Sequence, residues 1–322
     1  MQKFFQRIEY SGELDDISAA ICRDFDIGEL VTSDLIPVGY EDFNYILETT
    51  QGKYFVKVFA KFRNDKNIRR YLDIMLKAVE QGVKFPELYK SNQGYLHETK
   101  VAGTELKLCV MQYIDGQSYY LLKQKPNHEE IKFLAHQAAL INSIDIKPEF
   151  VYDSWAIVNF KKEFVKKSKY LGKGDLDLLE PLVQVFDDIE ISTLPHCFVH
   201  GDIIVTNVMK DKQGQDWIID FSVSNYYPRI QEIAVLACNL FFDENNKSES
   251  EENLRIALAE YQKTIKLTTR ELKSLPEYIK LAHAMHLLSA NYEKVAEKND
   301  SEENEYWLNQ GRIGLQQMKK GL

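Results

Sequence analysis

The spacing of hydrophobic positions changes along the chain, and the changes mark its parts. Ile17, Ala20, Ile21 and Phe25 recur at helical intervals, which predicts a short amphipathic helix over 16–25. The segment "LIPVGYEDFNYILETTQGKYFVKVFA" then alternates and is rich in Tyr, Phe, Val and Ile. It predicts a β-hairpin turning at Gln51-Gly52. Helical spacing returns from Ile68 to Gln81, with Gly82 as the stop signal and Pro86 close behind. "ELKLCVMQYIDG" reads as a strand running into a turn at Asp115-Gly116. Beyond Pro126 helices dominate, as in "HEEIKFLAHQAALINSI". One stretch interrupts them: "CFVHGDIIVTNVMKDKQGQDWIIDFS" holds the brief apolar runs "FVH", "NVMK" and "DWIIDF", with "DKQGQ" as a turn. More helices follow, separated by the acidic loop "DENNKSESEEN", and no internal repeat occurs. The pattern predicts an α+β chain with a small β-rich N-terminal lobe, residues 1–113, and a larger, mainly helical lobe, residues 114–322.

With 322 residues, two closely joined lobes are the expectation on length alone. The formal net charge of -9 argues against a nucleic-acid backbone or an anionic membrane as main partner, since both call for clustered Lys and Arg. A local basic pocket for a phosphorylated ligand stays compatible with it. Cys22, Cys109, Cys197 and Cys238 are far apart, each in an apolar run and none in C-x-x-C, and read as reduced core residues. The N-terminal residues lack an apolar signal core, and the apolar run from Ile233 to Phe242, broken by Asn239, is too short to span a bilayer. A cytoplasmic protein is expected.

Candidate chemistry concentrates in the interrupting stretch. His200-Gly201-Asp202 is followed by Asn207, and Asp220 closes the run "WII". Taken singly, Asp202 and Asn207 fit a helix cap and an Asx-turn. Together the positions suit phosphoryl transfer, which needs a carboxylate at the attacking hydroxyl and oxygen ligands for magnesium on the phosphates. Asp202 is then the base, with Asn207 and Asp220 as metal ligands. The Asp-to-Asn spacing equals that of the protein-kinase catalytic loop, whose metal-binding Asp also precedes a Phe. His200 reads as a structural support of the loop.

On "HGDIIVTN" and "IIDF" the chain resembles the small-molecule kinases related to aminoglycoside phosphotransferases, choline kinases and one class of homoserine kinase. "FDIGELV", "ETTQGKYFVKVF", "AVEQGVKFPELY" and "EIAVLACNLFFDEN" are most similar to the homoserine-kinase branch, from about Phe25 to Glu244. The resemblance implies a bilobal, protein-kinase-like fold and the use of ATP with Mg²⁺. It also implies a strand lysine on the ATP phosphates, and Lys57 in "YFVKVF" holds that place. The turn "VGYEDFNYIL", with Gly39 and Asn44, corresponds to the nucleotide-covering loop. The helix acid that pairs with the lysine departs from pattern: Asp73 is one option, with Asn67 or Tyr71 able to fall at the same position. "DFS" stands where protein kinases have D-F-G.

Only "FSVSNYYPRIQ" separates Asp220 from Glu232, too little chain for a peptide-docking platform. A small hydroxyl-bearing acceptor is therefore expected, a homoserine-like amino alcohol first, then an aminoglycoside, then choline. Tyr226 and Tyr227 either line its pocket or pack as ordinary aromatics. Glu232 either borders that pocket or supports the catalytic loop. His283 and His286 lie three apart on a helical run without an evident third metal ligand, and "LGKGDL" is a turn. The competing class is a non-catalytic nucleotide-binding regulator on the same fold, against which the intact Lys57, Asp202, Asn207 and Asp220 speak.

Overall fold

A computed structural model describes residues 5–36 and 42–319. The chain divides into two compact units, residues 1–116 with 210–219, and residues 117–209 with 220–322. The first unit opens with helix α1 (Leu14–Phe25). Strands β1 (Leu30–Leu35), β2 (Phe43–Thr49) and β3 (Gly52–Val58) come next, then helix α2 (Asp65–Glu80) and strands β4 (Leu88–Tyr89), β5 (His97–Val101) and β6 (Thr104–Gln112). The order across the sheet is β1-β2-β3-β6-β4, with β5 also pairing β6, and all pairings antiparallel.

The alternation of β2 and β3 buries Tyr45, Leu47, Val56 and Val58 on one face, where Ile17 and Ile21 of α1 meet them in the core. The other face is left to residues at the intervening positions, among them Asn44 and Lys57, which are cross-strand partners. The predicted hairpin turns at Thr50-Gln51, just before Gly52. Helix α2 starts where the Asn64 side chain accepts from the Asn67 amide. It ends at Gln81, and Gly82 reverses the chain at φ +84°.

Strand β7 (Gly116–Ser118) follows, then helices α3 (Tyr119–Leu122), α4 (His128–Asn142), α5 (Phe160–Lys167), α6 (Lys173–Leu179) and α7 (Leu182–Ile189). The stretch that interrupts the helical pattern forms β8 (His196–Val199), β9 (Val208–Asp211), β10 (Asp216–Ile218) and β11 (Asn225–Pro228). Strands β7, β9 and β10 make a three-stranded sheet in the order β10-β9-β7, and β8 pairs β11. Helices α8 (Ile230–Cys238), α9 (Lys247–Thr264), α10 (Thr269–Val295) and α11 (Glu302–Lys319) complete the second unit. Every residue of α8 is buried, and it packs against α10, α9 and α4. Cys22, Cys109 and Cys238 are buried and Cys197 half-buried, all as free thiols. Among the described residues no helix is long and apolar enough to cross a membrane.

Candidate active site

The antiparallel register of β8 and β11 sets Val199 opposite Asn225. The chain leaving β8 and the chain entering β11 therefore emerge from the same end of the ribbon. This brings the loop of Asp202 and the residues around Asp220 to one place. The loop is wired by its own backbone: the Ile204 amide donates to the Asp202 carbonyl (3.0 Å) and the Asn207 amide to the Ile204 carbonyl (2.9 Å). Gly201 turns it at φ +81°, a conformation that costs glycine little. The Asp202 amide donates to His200 Nδ1 (3.2 Å), which places the ring proton of this fully buried histidine on Nε2. Phe221 packs on the same ring, with centroids 4.5 Å apart.

Asn207 Nδ2 donates to Asp202 Oδ2 (2.7 Å) and to the Asp202 carbonyl (3.1 Å). The amide nitrogen is thereby committed, and the oxygen Oδ1 is the atom left to face a cation. Asp220 has a left-handed backbone, φ +67°, held in part by the Ser222 amide on its Oδ1 (3.0 Å). Such a conformation in a non-glycine residue persists only where the surroundings over-determine it. A carboxylate and an amide oxygen are a hard donor set, suited to a magnesium ion that takes its remaining ligands from phosphate and water.

Beneath the loop lies Glu232 of α8, fully buried. It accepts from the amides of His200 (2.6 Å) and Gly201 (3.2 Å) and from Asn142 Nδ2 (3.3 Å). Asn142 is itself fixed by the Phe198 carbonyl (2.9 Å) and the Tyr261 hydroxyl (2.7 Å). Glu232 thus grips the loop from behind. Burial pushes its carboxyl up to about 7 against the pull of those donors.

One acid at the site carries no signal in the sequence. Asp153 lies in a loop that Asn225 stitches down through the Val151 amide (3.0 Å) and carbonyl (2.8 Å). Lys167 donates to the Ser154 carbonyl (3.2 Å), and Ala156 packs on Val199 and Tyr227. The Asp153 carboxylate caps the turn through the Trp155 amide (2.8 Å), and burial raises it to about 6. It acts in turn on Asp202, which burial first, then Asp153 and then Asp220 push up to about 8. Asp202 therefore sits among carboxylates, a setting that favours its protonated form until a cation arrives.

Tyr226 and Tyr227 alternate across β11. Tyr227 is buried against Ala156 and Val199, while Tyr226 is exposed, stacked on His196 (6.1 Å) with Lys147 over its ring (5.0 Å). Trp155 lies edge-on to His286. Each ring is already engaged by protein.

In the first unit, Lys57 is 12 % exposed and its Nζ lies 3.4 Å from Asp42 Oδ2. The face of α2 it meets carries Tyr71, whose ring centroid is 5.4 Å away. Asp73 is exposed on α2 and lines a shallow depression with Arg69, Gln93 and Tyr95. The acid beside Lys57 is Asp42. Asn44 Oδ1 is buried without a hydrogen-bond partner among the described residues. Gly39 lies outside the described residues. Asn142 could have been suspected as a lone amide ending an apolar helix.

The comparisons with known proteins fit this arrangement. The profile of the phosphotransferase enzyme family matches residues 34–267, and the chain belongs to that family. It is a phosphotransferase on a protein-kinase-like fold, of the kind that acts on small molecules. A homoserine kinase of Sinorhizobium fredii is 23% identical over 83% of this chain and 81% of its own. Among solved structures, a microcompartment-associated aminopropanol kinase matches with a TM-score of 0.67, at 13% identity over 94% of this chain and 96% of its own. An amicoumacin kinase in complex with AMP-PNP and Ca²⁺ matches at 0.68, with 17% identity over 99% and 96%.

Proposed function

We propose that the protein transfers the γ-phosphoryl group of ATP to the hydroxyl of a small amino alcohol, homoserine-like in size and charge. The observation that carries this reading is the Asp202 carboxylate, fixed by Asn207 beside Asp220 on a loop held from behind by Glu232. Asp202 orients the acceptor hydroxyl and takes its proton as the new O–P bond forms. The bond from the γ-phosphorus to the bridging oxygen breaks, and ADP leaves with that electron pair. Lys57 contributes its charge to the α- and β-phosphates, and Asn44, on the same sheet face, contributes to the nucleotide site. Asn207 and Asp220 are the residues that would hold magnesium, which when bound supplies positive charge to the phosphate oxygens.

Two considerations favour an amino alcohol over other acceptors. Curated relatives with the S. fredii enzyme among them are homoserine kinases, and one structural neighbour is an aminopropanol kinase. The carboxylate of Asp153, whose charge acts on Asp202, offers a counter-charge to an ammonium group of the acceptor. For choline the rings of Trp155, Tyr226 and Tyr227 would have to give up their present partners to form a cage.

The test is ADP release with Mg²⁺ and homoserine, 1-amino-2-propanol, ethanolamine, choline or an aminoglycoside as acceptor. Turnover is expected with one of the primary amino alcohols. Asp202→Asn is expected to lower kcat by about 10²–10⁴-fold with ATP binding retained, the usual range for a positioned base. Full activity of that variant would remove Asp202 from the chemistry.

A further inference from the structure

A lysine that serves phosphates needs a fixed counter-charge to hold its flexible stem, and in this chain the neighbouring helix does not provide one. The contact α2 makes with Lys57 is the ring of Tyr71, while Asp73 faces outward. The carboxylate that does meet Lys57 lies at the mouth of β2. Asp42 is 5 % exposed, and its two oxygens are treated unequally. Oδ1 accepts from Arg63 Nε at 2.7 Å and from the Ala60 amide at 3.1 Å. Oδ2 receives Lys57 Nζ at 3.4 Å, the longest of the three. The Asp42 carbonyl is separately held by an Arg7 guanidinium nitrogen (2.9 Å).

We propose that Asp42 is the positioning residue for Lys57: Oδ2 steers the ammonium toward the nucleotide's phosphates while Arg63 and the Ala60 amide keep the buried carboxylate paired. This rests on the reading of Lys57 as a phosphate ligand given above. A buried carboxylate that loses its only cation is strongly destabilised. Asp42 escapes that penalty because its tightest cation is Arg63. Lys57 is thus the lightly held partner: Oδ2 takes one of its three donors and leaves the others for phosphate oxygens. Asn44, directly across the ladder from Lys57, has a buried amide oxygen with no donor among the described residues, which marks this sheet face as one that awaits a ligand. In protein kinases the corresponding carboxylate rides on a helix, so helix movement controls the lysine. Here the control passes to the strand, and α2 is relieved of it.

The experiment compares the affinities of ATP and adenosine by calorimetry on the full chain with Mg²⁺. Failure of the wild type to bind ATP would overturn the reading of the nucleotide site itself, independently of Asp42. Given binding, Asp42→Asn is expected to weaken ATP about tenfold, the worth of a charge-assisted contact, and to leave adenosine unchanged. Lys57→Met should do the same, and the double variant should be no weaker than Lys57→Met alone. Equal losses for ATP and adenosine, no loss, or additive losses would each overturn the proposal. Where Asp42→Asn does not fold, Asp42→Glu displaces the carboxylate and should lower the ATP-over-adenosine preference; a wild-type preference contradicts the positioning role. That Lys57 is the lightly held cation is read from melting temperatures: Lys57→Met should leave Tm near wild type while Arg63→Met lowers it clearly. Equal drops for the two variants would overturn it.

Discussion

Asp153 shows how much of the site's character is set by single side chains whose surroundings, rather than their motif, give them meaning. Its carboxylate is half-buried, caps its own turn through the Trp155 amide, and raises the proton affinity of Asp202. A cationic acceptor would neutralise that negative field at the place where the hydroxyl must be held. Asp153→Asn keeps the turn's hydrogen bond to Trp155 and removes the charge. It is expected to raise KM for a primary amino alcohol about tenfold, as for a lost charged contact, with KM for ATP unchanged. Steady-state kinetics against the amino alcohol and an uncharged alcohol of the same length check this. An equal change for both acceptors would show that the charge plays no part in recognition. Neither Asp153 nor Asp42 is visible as a site residue in the sequence. "VYDSW" has no recurrent spacing to other chemistry, and Asp42 acquires its role only when β2 and β3 bring it to Lys57.

Elements differ in how plainly their sequences announce them. The β2–β3 hairpin and helix α2 were legible because the apolar period matches the buried face, with Asn64 and Gly82 marking the ends. Strand β1 exposes or half-exposes all its residues, so no alternation betrays it. Strand β11, "NYYP", is too short for a period and is defined by its pairing with β8. The α10–α11 contact was likewise hidden. His283 is buried and His286 half-buried there, with Phe242 against the first ring and Trp307 against the second. Gly314 makes room for this: a Cβ on it would come within 2.2 Å of the His283 ring. Gly314→Ala is expected to destabilise by about 1–3 kcal/mol, the cost of overpacking, and thermal melts measure it. Burial, with His286 and Lys125 adding repulsion, holds His283 neutral down to about 3, and burial holds His286 neutral to about 4. The unfolded chain takes up these protons near pH 6.5, so stability is lost as pH falls from there toward 4. The slope is about 1.4 kcal/mol per pH unit for each histidine. In His283→Leu the melting temperature should fall less steeply over the same window. A slope equal to that of the wild type would contradict the assignment.

At the scale of the whole molecule, few positions tie the sequence to its relatives. Identity to the solved structures named above is 13% and 17%, yet the TM-scores are 0.67 and 0.68. A fold tolerates wholesale exchange of apolar residues when volume and pattern persist. A set of residues that transfers a phosphoryl group tolerates such exchange far less, because each member supplies a particular oxygen or charge. This is why "HGDIIVTN" and "IIDF" mark a candidate catalytic stretch while the acceptor side has no such signal. A net charge of -9 gives an anionic nucleotide no general attraction, so the proposed ATP binding would rest on local cations, for which Lys57 is the candidate. The central claim, phosphoryl transfer to an amino alcohol, is tested most directly by ³¹P NMR of the protein with ATP, Mg²⁺ and homoserine or 1-amino-2-propanol. The account predicts a new phosphomonoester resonance that grows in step with ADP and is lost in Asp202→Asn. ATP binding without any phosphomonoester from either amino alcohol, or ATP loss yielding only inorganic phosphate, would contradict it.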